Sequence, residues 1–298
     1  MNNHCPASLI PKTGHLRRRR RAELLFKIII SISAGLVLFS LILILATILF
    51  KSLPALKLSL IIRTPGSGYY LGQEGGILNA IAGSLQLTLG ATVVALFISL
   101  PGVVFLNSYL RRHSRLSEAI RFVLDVLWGI PSIVYGAFGF LIMLAFHLRA
   151  SLLAGMITVA MVELPILSRA LDETINMVPA ELKEATYSLG ASRWQTAIKV
   201  VLRQAFPGLL TATLMALGRG LGDAAAVLFT AGYTDRITTS LFQPVATLPL
   251  AIFFQLNSPY TEVQQRAYAA AAVLTILILL ISLASRGLSR KFSQHKIH

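Results

Sequence analysis

From Ile28 to Phe50 the chain runs 23 residues without a charged side chain. A helix of that length covers the roughly 30 Å hydrocarbon core of a bilayer. In lipid every backbone N–H and C=O must be paired within the protein, so an isolated run of this kind has to be a spanning helix. The pattern recurs: further apolar runs lie at about 82–106, 122–146, 151–168, 206–232 and 267–285. The sequence therefore predicts an all-α, polytopic membrane protein with six spans. A mean hydropathy of +0.71 with 13% charged residues excludes an ordinary soluble domain.

The formal charge is +15, which would also suit a nucleic-acid partner, but the cations follow a different logic. Segments 1–27, 107–121, 169–205 and 286–298 hold twenty of the 27 Lys and Arg. Lys51, Lys57, Arg63, Arg149, Arg236 and Arg266 lie on the alternate side, and Arg219 falls inside a span. This asymmetry places both termini and the 169–205 segment in the cytoplasm. Residues 1–27 read as a basic cytoplasmic tail, 28–50 as the first span, 51–80 as an external loop and 286–298 as a second cytoplasmic tail. The consecutive arginines Arg17 to Arg21 suit anionic lipid better than nucleic acid. The first apolar run is too long for a cleavable signal and lacks a small-residue cleavage site after it.

No catalytic residue is expected. Cys5 is the single cysteine, so an intramolecular disulfide or a cysteine-based metal cage is excluded. Neither a nucleophile–base pattern nor a metal-ligand cluster nor a phosphate-cradling glycine loop is legible. No metal or cofactor is assigned to the chain.

Two features stand out from the apolar background. The first is the amphipathic stretch Pro179 to Pro207. Pro179 suits a first helical turn and Glu181 and Glu184 favour its positive dipole end. Leu182, Ala185 and Leu189 share a face, Gly190 suits the end of the helix, and Ser192 suits the cap of a second short helix. That second helix would carry Trp194, Ala197, Ile198 and Val201 on one side. Two short helices at a tight turn make a knob for another protein to grip.

The second feature is a set of ionisable residues inside spans. Arg219 stands mid-span, where insertion costs roughly 2.5–3.5 kcal/mol and the side chain should face protein or water. Asp223, four residues on, would share its helix face and could pair with it. Gly218, Gly222 and Ala226 would form a small-residue stripe for close helix approach. Glu163 could pair with Arg169 or Arg219, and Arg169 sits at a span end from which it could snorkel to headgroups. Pro101, Pro131 and Pro165 should each kink or break a span. A packing ion pair and a polar transport path both fit Arg219 and Asp223.

These residues carry a resemblance. Glu184-Ala185-Thr186, three residues and Gly190 resemble the EAA loop of ABC-importer permeases, although Arg203 stands where that family's pattern has proline. Leu127 to Gly136, Glu163-Leu-Pro-Ile with Arg169, Leu217 to Ala226 and Ala246 to Leu250 resemble the A-type permease subunits of phosphate-specific ABC importers. The likeness covers about residues 80–285. It implies a type I permease fold with cytoplasmic coupling helices in a bacterial inner membrane. Glu181, Glu184, Ala185 and Gly190 would engage an ATPase, while Arg219, Asp223, Arg169 and Glu163 would line the translocation path. It further implies a second permease, two copies of a cytoplasmic ATPase that uses ATP, and a periplasmic phosphate-binding protein. Asp223-Ala-Ala-Ala226 replaces a usual Glu-Thr-Ala-Pro, and Glu163 a usually uncharged residue; both changes bear on anion preference. A sulfate or molybdate permease, or an ATPase-independent channel, are the alternatives.

Overall fold

A computed structural model describes residues 13–66, 69, 75–110 and 114–293. Every regular element among them is helical. The chain divides into two compact units between Phe50 and Lys51. The first is essentially α1 (Thr13–Ser52), whose apolar window buries none of its residues in protein. Leu36, Phe39, Ile42 and Phe50 are all exposed, the arrangement expected of a helix bathed in lipid.

In the second unit, α3 (Leu78–Ser108) packs along α6 (Leu152–Asn176), and α9 (Arg203–Leu221) lies against both. Small residues allow this closeness. Leu87, Ala91 and Ala95 of α3 meet Val159, Leu167 and Leu171 of α6 and Ala212 and Ala216 of α9 in one core. The remaining long helix, α11 (Thr261–Ser293), packs on α9 and on the short α10 (Leu248–Leu256). The segment after α1, expected as a loop, also holds a short helix, α2 (Leu58–Ile62), which buries Leu60. Nearby, Tyr69 is buried and Arg266 donates to its carbonyl at 2.8 Å. Burial pushes the Tyr69 hydroxyl up to about 12, against the opposing pull of Arg266.

Among the described residues, five helices are long and apolar enough to cross a membrane, and there are six spans if one bent pair is counted. That pair occupies the third span expected at 122–146, and its bend is the break expected at Pro131. α4 (Arg115–Trp128) and α5 (Ser132–Ala145) meet at 97°. Pro131 is extended, with φ −58° and ψ 138°, and its ring cannot continue the hydrogen-bond ladder of α4. Tyr135 braces the elbow by donating to the Leu127 carbonyl at 2.8 Å. Pro101 and Pro165, expected to act likewise, interrupt neither α3 nor α6.

The fifth span is corrected. Its helix stops at Leu221 instead of continuing to 232. Gly218, Gly220 and Gly222 weaken it, and the Asp223 carboxylate accepts from the Ala226 N–H at 3.0 Å, capping a turn instead of extending a helix. The following irregular chain turns back into the core. Its backbone is satisfied by Ser151 N–H to the Thr230 carbonyl, Val245 N–H to the Ala231 carbonyl, and Asn79 Nδ2 to the Thr234 carbonyl. Irregular backbone at membrane depth is tolerated only when enclosed in this way. Gly83 makes room for it: a Cβ there would collide with the Ala246 carbonyl oxygen.

Candidate functional site

Arg219 lies in the last turn of α9 with an exposed side chain. No ion pair joins it to Asp223 among the described residues, and the expected shared face does not exist, because Asp223 lies beyond the helix end. The Gly218, Gly222 and Ala226 stripe is broken at the same point. Arg219 is thus presented outward from this chain, where an unsolvated guanidinium needs a polar partner or water.

Gly220, next to Arg219, faces inward, and a Cβ on it would collide with Glu163 Oε1 and crowd Thr88. Glu163 itself is fully buried. Neither of its carboxylate oxygens has a hydrogen-bond partner, and the buried Thr92 hydroxyl is likewise unmatched. Neither expected pairing of Glu163, with Arg169 or with Arg219, is made. The six-residue spacing from Arg169 is not a same-face spacing, so the two side chains leave α6 in different directions.

Arg169 instead joins a charge cluster at the other end of α6. Its Nε is 2.9 Å from Asp125 Oδ1 on α4, and its Nη1 is 3.6 Å from Asp172 Oδ2. Asp172 is 1% exposed and is held from three helices. Arg121 of α4 grips it through Nε at 2.8 Å and Nη2 at 3.2 Å. Asn107 of α3 donates at 2.7 Å and Asn176 at 3.2 Å. Arg121 also donates to Ser117 at 2.7 Å. A forked guanidinium and two amides are what a buried carboxylate needs. Sequence reasoning read Arg121 only as a topology signal and overlooked Asp172. The i, i+3 spacing of Arg169 and Asp172 was the available clue.

Three residues beyond α6 the elbow begins. Pro179 caps α7 (Ala180–Ser188) from just outside instead of entering its first turn, and Glu181 follows in that turn. Gly190 adopts φ +80°, which a side chain would strain. Its N–H reaches the Tyr187 carbonyl at 2.9 Å and the next N–H reaches Thr186 at 3.1 Å, closing the helix end twice over. Ser192 and Gln195 then form a reciprocal cap. The second helix is not short. From α8 (Arg193–Thr196) it passes through a π-helical segment (Ala197–Leu202) and runs on unbroken as α9. Wider winding splits the expected apolar face: Ala197 and Val201 are buried, while Trp194 and Ile198 are exposed. Thr186 Oγ1 and Thr196 Oγ1, 3.2 Å apart, pin the two arms together. Glu181, Glu184, Ala185 and Gly190 all lie on the outside, beside Leu189 at 87% exposure. The elbow is a capped, partly apolar knob whose outer face has no cover among the described residues of its own chain.

Comparison with known proteins agrees with this architecture. A family described as "Binding-protein-dependent transport system inner membrane component" matches residues 104–296. The phosphate transport system permease protein PstA of Pasteurella multocida is 33% identical over 273 residues, 91% of this chain and 95% of that protein. The protein of the same name in Xylella fastidiosa (strain 9a5c) is 38% identical over 244 residues, 81% of this chain and 83% of its own length. A chain from a structure titled as inward-facing conformations of the MetNI methionine ABC transporter superposes with a TM-score of 0.59 at 20% identity. The match covers 72% of this chain and 95% of that one, and it shows the fold. The chain belongs to the binding-protein-dependent transport system inner membrane components, with PstA permeases among its relatives.

Proposed function

We propose that the chain is a permease subunit of an ATP-driven importer of inorganic phosphate. The uncovered elbow of α7 and α8 carries this reading: a capped, rigid knob between two membrane-spanning helices is built to be held by another protein. A cytoplasmic ATPase would grip it through Glu181, Glu184, Ala185 and the Gly190 turn, with both termini on that same side. ATP is bound and hydrolysed there, and this chain holds no cofactor. A second permease faces the surface from which Arg219 projects, and a periplasmic binding protein delivers phosphate to the opposite end.

Arg219 supplies the cationic contact that an oxyanion path requires. The family resemblance implies Asp223, Arg169 and Glu163 beside it as pathway residues. Of the four, Arg219 alone combines exposure with the absence of an ion pair among the described residues, and it is our candidate for anion contact. Phosphate is preferred to sulfate or molybdate because the relatives matched over most of the chain are named for phosphate transport.

The test is ATP-dependent uptake of labelled phosphate in cells lacking their own A-type permease, with this chain and its cognate partners restored. Uptake that survives excess sulfate and molybdate supports the reading; competition by either replaces the substrate. Arg219→Ala should abolish uptake while the ATPase still co-purifies.

A further inference from the structure

The charge cluster around Asp172 sits where three observations converge. The first is the weak hold on α4. Ser117 is its only buried residue, while Leu116, Phe122, Val123 and Val126 face outward. Apolar burial therefore does little to fasten this helix to the unit. Arg121 to Asp172 and Asp125 to Arg169 are what tie it to α6.

The second is proximity to the elbow. Asn176, one turn after Asp172, donates to both the backbone and the carboxylate of Asp172, and only Met177, Val178 and Pro179 separate it from α7. A displacement of α7 is passed over so short a link to the last turn of α6. The third is freedom to move. Arg121, Asn176 and Met177 line both of two open clefts, of about 530 and 430 Å³, so one side of the cluster borders unfilled space. Beyond α4 lies the hinge at Gly129 to Pro131, which joins it to α5 at 97°.

We infer that Asp172 is a positioning residue that passes movement of the coupling elbow to α4, the hinged half of the broken span. Its carboxylate is bonded to α3, α4 and the final turn of α6 together. With the fork intact, α4 follows the elbow. With it broken, the elbow and the ATPase move while α4 stays behind. Partly buried charge pairs suit this task, because their geometry is directional and they can re-form in a second arrangement.

This inference rests on the elbow being held by an ATPase, and its test separates the two ideas. In a Cys5→Ser background, a reporter substitution Ala119→Cys, exposed on the early turns of α4 beside its basic residues, is labelled with a water-soluble thiol reagent. The full complex is compared with and without ATP and vanadate, and phosphate uptake and ATP hydrolysis are measured beside it. The parent should change its labelling rate about tenfold with nucleotide. Asp172→Asn and Arg121→Gln should lose that change and cut uptake about tenfold, while ATP hydrolysis stays within about twofold and the ATPase co-purifies. Arg121→Lys, which retains the charge, should restore much of the response. The inference is overturned if the parent shows no nucleotide response or if both neutral variants respond like the parent. Loss of the ATPase from both would also overturn it, since the cluster would then serve assembly alone. A parent that responds to nucleotide yet imports no phosphate removes the substrate assignment and leaves the role of Asp172 standing.

Discussion

Glu163 and Asp172 stand nine residues apart on one helix, and both are essentially sealed from solvent. Their surroundings are opposite. Asp172 accepts hydrogen bonds from Asn107, Arg121 and Asn176, with Arg169 close by. Glu163 has Thr88, Thr92 and the bare backbone of Gly220 around it, and its oxygens are unmatched. Burial alone therefore says little about what an acid contributes. A buried carboxylate with a complete cradle holds helices in register, whereas one without a cradle is a cost carried by the fold.

The largest effect should come from emptying the cradle. Asp172→Ala leaves Arg121 and Asn107 facing a cavity with no acceptor, a change worth about 3–5 kcal/mol for a buried pair. The melting temperature of the detergent-solubilised chain should fall by about 10 °C. A drop of only a degree or two would mean that water replaces the carboxylate and that the contrast with Glu163 is not one of pairing.

Next comes the niche of Glu163. Gly220→Ala forces a methyl group onto Glu163 Oε1 and Thr88, at about 1–3 kcal/mol. Glu163→Ala in the same chain removes the obstacle, so the double variant should recover much of the loss. Its stability should depart from additivity by about 1–2 kcal/mol in a double-mutant cycle. Strict additivity would show that α9 moves aside and that Gly220 and Glu163 do not share one space.

How much of this was legible in the sequence follows from the range of each interaction. Most of the spans, the elbow and its caps were readable, since apolar run length, Gly190 and Ser192 are local signals. Helix ends set by tertiary packing were not. The run from 206 to 232 is interrupted only by Arg219 and Asp223, and the turn at Asp223 with the enclosure of the chain after it helps to end α9 at Leu221. The same gap removed the expected Arg219–Asp223 face. Asp172 was overlooked because two of its donors, Asn107 and Arg121, lie 65 and 51 residues away. No period or spacing connects them.

The elbow offers a smaller and more local test. Gly190→Leu puts a side chain at φ +80°, a strain of about 1–2 kcal/mol, in a turn with open space around it. Global stability should change little beyond that, because α7 buries none of its residues. Uptake should fall far more than stability does, since the Gly190 turn aims Glu184 and Ala185 at the docking partner. Normal uptake by this variant would remove the elbow from the coupling role.

The smallest effect expected is at Glu163, and it decides the comparison. Glu163→Gln keeps the shape of the side chain, discards its ionisable group and adds an amide that can donate to Thr92 Oγ1. Because no cation is lost from Glu163 and only the Thr92 hydroxyl stands near its carboxylate, stability should hold to within about 1 kcal/mol or rise, where the change at Asp172 is severe. The measurement is the same melting experiment, run beside Asp172→Asn, so that both acids lose only their charge. Destabilisation at Glu163 as large as at Asp172 would mean that its carboxylate finds a partner in the assembled transporter, and that the niche beside Arg219 is completed by another chain. A flat response at Glu163 with a steep one at Asp172 places the structural charge of α6 at its elbow end and leaves the membrane interior to small residues and Arg219.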